Sequence, residues 1–337
     1  MDHASPLAPV PFSAGHAAPR TALPAGACDC HVHVYDGRFA AAPGARLLPP
    51  DASADDYRRL QRRLGTQRAV LVTPSTYGSD NRCMLAGLAA LGTDRARGVA
   101  VIDGTESDGE LEALHARGVR GVRLNLSLGV VGSAEQVEPL AQRIAPLGWH
   151  LQLLMAPDLL AALAPVLRRL PVALVFDHCG RIAPAQAGQH PAHALLLALL
   201  QAGRAWIKLS GGYLVSARHS VEDPALDALA AGYLRAAPER VVWGSDWPHA
   251  TASAGLQPMP DDARQLDRLA DWTAAAGGAA TLRRVLSDNP AALYGFPPAP
   301  PGGALVPGRP GTAATSPQQH GISHGTSHGT SHGISTE

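Results

Sequence analysis

Eight short runs rich in apolar and β-branched residues recur along this chain, separated by longer segments of Ala, Leu and Arg with a helical period. The runs are ACDCHVHVY from residue 27, RAVLVTP from 68, ARGVAVID from 96, GVRGVRLNL from 118, GWHLQLLM from 148, PVALVFDH from 171, AWIKLSG from 205 and RVVWGSDWP from 240. Runs of this kind suit strands buried on both faces, and their regular exchange with helices marks βα units and a parallel sheet. Eight such strands close a barrel, so the expected fold class is α/β, a (β/α)8 TIM barrel. Helices between the runs are expected at 54–64, 134–144, 158–169, 191–200, 224–236 and 262–275. An open doubly wound sheet would need a Gly-rich phosphate loop after the first strand. The first run leads instead into His-x-His and Tyr35.

Chemistry in such a barrel sits at the C-terminal ends of the strands. The first run ends in His31 and His33, the fourth carries Arg123 and Asn125 on one face, the sixth ends in Asp177 and His178, and the eighth in Gly244 to Pro248. Four strand ends that each present His, Arg or Asp point to a site at one mouth. Strand side chains alternate, so His31 and His33 share a face and Asp29 is expected to point with them. Cys28 and Cys30 then face the other way, as small apolar residues packed under a helix. His150, early in the fifth run, is expected in the core or at the bottom face, and His249 at the mouth.

Of 337 residues, 28 are Lys or Arg and 28 Asp or Glu, a balance that provides no global field for nucleic acid or an anionic membrane. The expected partner is a small molecule. Cys28, Cys30, Cys83 and Cys179 lack C-x-x-C spacing, which suits reduced thiols in a cytoplasm. Residues 1–26 read as a disordered or loosely draped leader with no signal-peptide core, 27–296 as the barrel domain, and 297–337 as a disordered Pro/Gly-rich and His-rich tail. No run reaches the ~18 apolar residues of a membrane span. His320, His324, His328 and His332 recur every four residues and could hold a metal weakly. A repeat without a role is the preferred reading, because a disordered chain loses backbone entropy on closing round an ion. Oligomeric state is not legible.

HVH in the first run, FDHCGR in the sixth and VVWGSDWPH in the eighth together resemble the amidohydrolase superfamily, amidohydrolase 2 type. PSTYGSDN, GVRGVRLNL, IKLSG and the closing DNPAALYGF resemble its branch typified by 2-pyrone-4,6-dicarboxylate lactonase, in order over residues 27–296. The resemblance implies a distorted (β/α)8 barrel. It also implies hydrolysis of a lactone or related ester of a small carboxylated ring compound, in aromatic or sugar-acid catabolism. On that resemblance His31, His33, His178 and Asp246 match the central polar cluster.

Opening a C–O acyl bond with water needs a base and groups aimed at the developing oxyanion. Asp246 is the expected base. His31, His33 and His178 either polarise the carbonyl directly or, with Asp246, hold a single Zn that does so. Arg123 suits a substrate carboxylate, with Asn125 beside it, and Ser75, Tyr77, Tyr213 and Arg181 are further candidates for substrate contacts. A carbamate-bridged metal pair is not expected, since the only lysine is Lys208 on the seventh run and the fourth offers Arg123. No metal is the preferred reading, because the branch resembled includes metal-free members. Where extra basic residues would suit a pyrone dicarboxylate, this chain has Ser127, Leu128, Gly129 and Leu214, which implies a less anionic substrate unless Arg181, Arg218 or His219 substitutes. The alternatives are a metal-dependent decarboxylase of the same superfamily and a non-catalytic metal-handling protein; the intact His/Asp set argues against the latter.

Overall fold

The computed structural model describes residues 9–127 and 132–299. Each of the eight runs contains one strand: β1 Cys28–Val32, β2 Arg68–Val72, β3 Ala96–Ala100, β4 Val119–Asn125, β5 His150–Leu154, β6 Leu174–Phe176, β7 Ala205–Leu209 and β8 Val241–Trp243. They pair in parallel in sequence order, a nearly closed barrel. The expected helices appear as Ala54–Leu64, Val137–Ile144, Pro157–Ala162 with Ala164–Leu167, Pro191–Gln201, Ala225–Ala236 and Asp262–Ala274. Helices Arg82–Leu91 and Asp108–Ala116 complete the ring, the second capped by a Ser107/Glu110 box.

Alternation sorts the strand residues into two cores. Leu71, Val122, Leu124, Leu151, Leu153, Ile207 and Val241 pack outward against the helices. Cys28, Cys30, Val70, Val72, Val99, Val175, Trp206 and Val242 fill the lower barrel together with Tyr294 and Phe296, so the closing DNPAALYGF segment is the plug of the barrel floor. His150 lies there too, buried and edge-on to Tyr294, in space that a Cβ on Gly121 would occupy.

The expectation for Asp29, Cys28 and Cys30 is corrected by a bulge. Asp29 aligns with Ala69 and Val32 with Leu71, so β1 carries one extra residue. Cys30 and His31 consequently both point inward, His33 follows, and Asp29 points out toward the helix Ala54–Leu64. There its Oδ1 accepts from the Ser245 amide at 2.9 Å, and its Oδ2 from the Ser245 hydroxyl at 2.6 Å and Tyr57 at 3.3 Å. This carboxylate ties β1 to β8. Among the described residues the pairing across this seam is an isolated bridge from Val32 to Trp247, just past β8, with His33 N donating to Trp247 O at 2.8 Å and Asp246 N to His31 O at 2.9 Å. Gly244 permits the approach, since a Cβ there would lie 2.7 Å from the His31 nitrogen.

Residues 9–26 are not loose. Trp247 Nε1 donates to Pro11 O at 2.9 Å, Phe12 packs on the Trp247 ring, and Arg63 donates to Gly15 O at 2.8 Å. A Pro-rich segment with no ladder of its own is held by buried donors that would otherwise be unpaired. The His-rich tail expectation lies, from residue 300 on, outside the described residues, as do Leu128 and Gly129.

Asp29→Ala removes the acceptor of four buried donors, the His31 and Ser245 amides and the Ser245 and Tyr57 hydroxyls. It should lower the unfolding free energy by about 1–3 kcal/mol or more in urea titration, whereas an unchanged midpoint would mean that other contacts hold the seam.

Candidate active site

The extra residue in β1 brings two imidazoles to one mouth, and the turns after β6 and β8 bring the rest. Asp246 has φ +71° and His178 φ +49°, left-handed conformations that for non-glycine residues cost about 1–3 kcal/mol each and cluster at functional sites. Asp246 Oδ1 then lies 3.6 Å from His31 Nε2, 3.9 Å from His33 Nε2 and 3.7 Å from His178 Nε2. All three separations exceed hydrogen-bond length, so this oxygen is open. Oδ2 is not, because Tyr213 donates its hydroxyl there at 2.6 Å.

Below this ring lies a buried ionic layer. Asp177 Oδ2 accepts from Arg123 Nε at 3.2 Å and from Gln152 Nε2 at 3.0 Å, while Oδ1 pairs with Lys208 Nζ at 3.4 Å. Lys208 Nζ donates to Gln152 Oε1 at 2.8 Å and reaches His31 Nδ1 at 3.2 Å. His33 Nδ1 lies 2.8 Å from Val72 O, which can only accept, so His33 carries its proton on Nδ1. His178 Nδ1 meets the Ser210 hydroxyl at 3.0 Å.

Burial raises the Asp246 carboxyl, but His178, His31, His33 and His249 outweigh it and hold it at about 2. Burial lowers His33 to about 4, with Arg123 adding to the shift, and also lowers His31 and His178. At neutral pH the site is an anionic carboxylate among three neutral imidazoles.

A cavity of about 390 Å³ opens above it, walled by His33, His178, Asp246, Arg123, Asn125, Ser75 and Arg181, and also by Tyr35, Arg46, Ser127, Leu214 and His219. His31 sits fully buried beneath. Asn125 Nδ2 donates to Ser75 Oγ at 2.8 Å, which fixes that wall. Of the expected substrate contacts, Tyr77 and Tyr213 are not among the described residues that wall the cavity. Tyr77 accepts at its hydroxyl from Asp36 N at 2.8 Å, holding a turn, and Tyr213 serves Asp246. His249 lies behind Tyr213, fully buried against Asp262 at 3.1 Å, not at the mouth. Arg218 pairs loosely with Asp223 and also lies outside the wall. Arg46, Tyr35, Gln152 and Lys208 escaped sequence reading as site residues, whereas Asp177 was among the strand-end residues it singled out.

Ligand atoms of a tetrahedral Zn site stand about 3.3 Å apart, given Zn–N bonds of about 2.0 Å. His31 Nε2 and His33 Nε2 are 3.3 Å apart, and with Asp246 they form one group of suitable spacing; His31, Asp177 and His178 form a second. A metal on His31 Nε2 needs the ring proton on Nδ1, where Asp177 Oδ1 at 3.2 Å can accept it but the Lys208 ammonium faces it at the same distance, which weighs against a metal there.

Residues 28–296 match the family model described as Amidohydrolase. The chain is 34% identical to a 2-pyrone-4,6-dicarboxylate hydrolase of Comamonas testosteroni, over 82% of this chain and 92% of that one. It is 32% identical to a D-galactarolactone isomerase of Agrobacterium fabrum, over 83% and 95%. A crystal structure from Agrobacterium tumefaciens, 31% identical, superposes with a TM-score of 0.74 over 84% of this chain and all of the other. Among the described residues no helix is long and apolar enough to cross a membrane, and all four cysteines are free.

Tyr77→Phe should lower stability by about 1–2 kcal/mol, the worth of the two neutral hydrogen bonds its hydroxyl makes to the Asp36 main chain, and leave KM unchanged. A raised KM with unchanged stability would return Tyr77 to the substrate.

Proposed function

The chain belongs to the amidohydrolase family, and from that premise we propose that it is a hydrolase opening a small lactone that bears one carboxylate, using water activated by Asp246. The observation that carries this reading is the asymmetry of that carboxylate: one oxygen held at 2.6 Å by Tyr213, the other open to the cavity among three imidazoles. A base with one engaged and one free oxygen has a fixed aim.

Water enters between Asp246 Oδ1 and the lactone carbonyl. Oδ1 takes one water proton as the oxygen attacks, and later returns it to the ring oxygen as the C–O bond breaks. With Ser210 donating to its Nδ1, His178 carries its proton on Nε2 and donates to the developing oxyanion. His33 has its proton committed to Val72 O, so it presents an accepting nitrogen and does not polarise the carbonyl, unlike the role that sequence reasoning gave it. The free terminal nitrogens of Arg123 grip the substrate carboxylate, while its Nε stays on Asp177.

No step passes through a metal in this reading, because the proton placement on His31 opposes one. It also disfavours the decarboxylase alternative, a class that normally needs the metal. Arg123 is partly neutralised by Asp177, which leaves Arg181 and the exposed Arg46 as the other guanidinium groups of the wall. One carboxylate is therefore better matched than two. Relatives named for a pyrone dicarboxylate and for a galactarolactone bracket the choice between aromatic and sugar-acid lactones.

Asp246→Asn is nearly isosteric and should cut lactone hydrolysis by about 10²- to 10⁴-fold without shifting the thermal midpoint. The assay is a screen of monocarboxylate and dicarboxylate lactones followed by ring opening, with and without chelator. Full activity in the variant moves the base elsewhere, chelator-sensitive turnover with stoichiometric Zn defeats the metal-free version, and a clear preference for dicarboxylates defeats the assignment of charge.

Acid inactivation should follow His33 and not an ordinary imidazole. Below about pH 4 His33 gains a proton on Nε2, 3.9 Å from Asp246 Oδ1, and the cation neutralises the base. Turnover should thus stay level from pH 7 to about 5 and fall through about 4. A break near the ordinary imidazole value of about 6.5 would contradict it.

A further inference from the structure

We propose that Lys208, the chain's only lysine, locks His31 as its Nε2–H tautomer and thereby closes the His31/His33 pair to a divalent ion. The proposal deepens the metal-free reading above and rests on it for the site's role. It concerns a residue that touches neither the cavity nor the reacting atoms, so Lys208 is a positioning residue.

An ammonium has three protons to place. Lys208 Nζ is fully buried with three acceptors in reach: Gln152 Oε1 at 2.8 Å, His31 Nδ1 at 3.2 Å and Asp177 Oδ1 at 3.4 Å. Gln152 is oriented by its own donation from Nε2 to Asp177 Oδ2 at 3.0 Å, which turns its oxygen to the lysine. Gln152 Oε1 and His31 Nδ1 each take one of the protons, and Asp177 Oδ1 is the lysine's ion-pair partner. A neutral His31 then keeps its proton on Nε2, pointing at His33 Nε2 3.3 Å away. His33 accepts there because its own proton goes to Val72 O at 2.8 Å. The result is a one-way chain from Lys208 through His31 and His33 to a strand carbonyl, which leaves Asp177 Oδ1 with the Lys208 ion pair and no hydrogen bond.

The opposite tautomer fails twice. A proton on His31 Nδ1 could reach Asp177 Oδ1 at 3.2 Å, but it would oppose the Lys208 ammonium at the same distance. It would also leave two bare nitrogens facing each other across 3.3 Å. A divalent ion would repair the second conflict and not the first, and it would add its own charge close to a buried cation. The spacing suits an ion; the lysine withholds the lone pair.

The test uses the full chain with ¹⁵N-labelled histidine and ¹³C-labelled lysine. A sole lysine gives one ε-methylene signal, and through-space contact with it identifies the His31 ring. We expect His31 protonated at Nε2 and bare at Nδ1; the reverse overturns the proposal. Zinc uptake is then measured in competition with a chelator for the wild type and for Lys208→Met, with the His-rich tail common to both. The variant should take up one more zinc per chain, with affinity raised by about 10- to 100-fold, the range over which outer partners move metal affinity. Equal uptake overturns the proposal, and if the variant does not fold the wild-type spectrum decides alone. Neither readout involves substrate, so an inactive lactone screen would count against the hydrolase reading and leave the tautomer lock standing.

Discussion

The site depends on how the barrel closes. Among the described residues the pairing between β1 and the chain just past β8 is an isolated bridge, so the seam is held by the Asp29 carboxylate on the Ser245 amide and hydroxyl and by two backbone bonds. Ser245 immediately precedes Asp246. Fixing it from behind sets the direction in which the next residue leaves the strand, and Asp246 N in turn donates to His31 O at 2.9 Å. Base and imidazole are thus in register through main chain, which is stiffer than any side-chain contact. The left-handed strain at Asp246 persists because these bonds over-determine its backbone.

Inside the barrel the residues form three layers of different dielectric character. The floor is apolar, from Cys28 and Val70 to Tyr294 and Phe296. The middle holds the charges of Lys208, Asp177 and Arg123, taken out of water and persisting only because they pair with one another and with the Gln152 amide. The top is the imidazole ring around Asp246. Coulomb forces act strongly across so dry a stack, so the cations beneath help keep the imidazoles above them neutral.

The eight apolar runs made the strands and their order legible, because strand burial writes itself into composition. His31, His33, His178 and Asp246 were legible as a convergent group because each ends a strand. The bulge was not: it changes which neighbours share a face without changing any residue type, and so Asp29, Cys28 and Cys30 were assigned to the wrong sides. Tyr77 and Tyr213 lie in loops near the mouth, and sequence gives no direction for a loop side chain. Gln152 and Lys208 sit mid-strand, where a polar residue has no local signature, and Arg46 lies in a Pro/Ala-rich loop without periodicity. The leader misled by composition, since its order comes from donors on Trp247 and Arg63 far along the chain.

That leader also reaches the base. Ser13 donates to Asp262, whose carboxylate faces His249 Nε2 at 3.1 Å; His249 Nδ1 lies 3.3 Å from the Tyr213 hydroxyl, and that hydroxyl donates to Asp246 at 2.6 Å. Asp262 and neighbouring carboxylates raise the His249 pKa against its burial, which favours the protonated ring behind Tyr213. A phenol so placed is a firm donor: its proton is drawn to Asp246 and its oxygen is supported from behind. The orientation of the base therefore follows from a string of side chains running out to a segment that composition alone would have marked as dispensable.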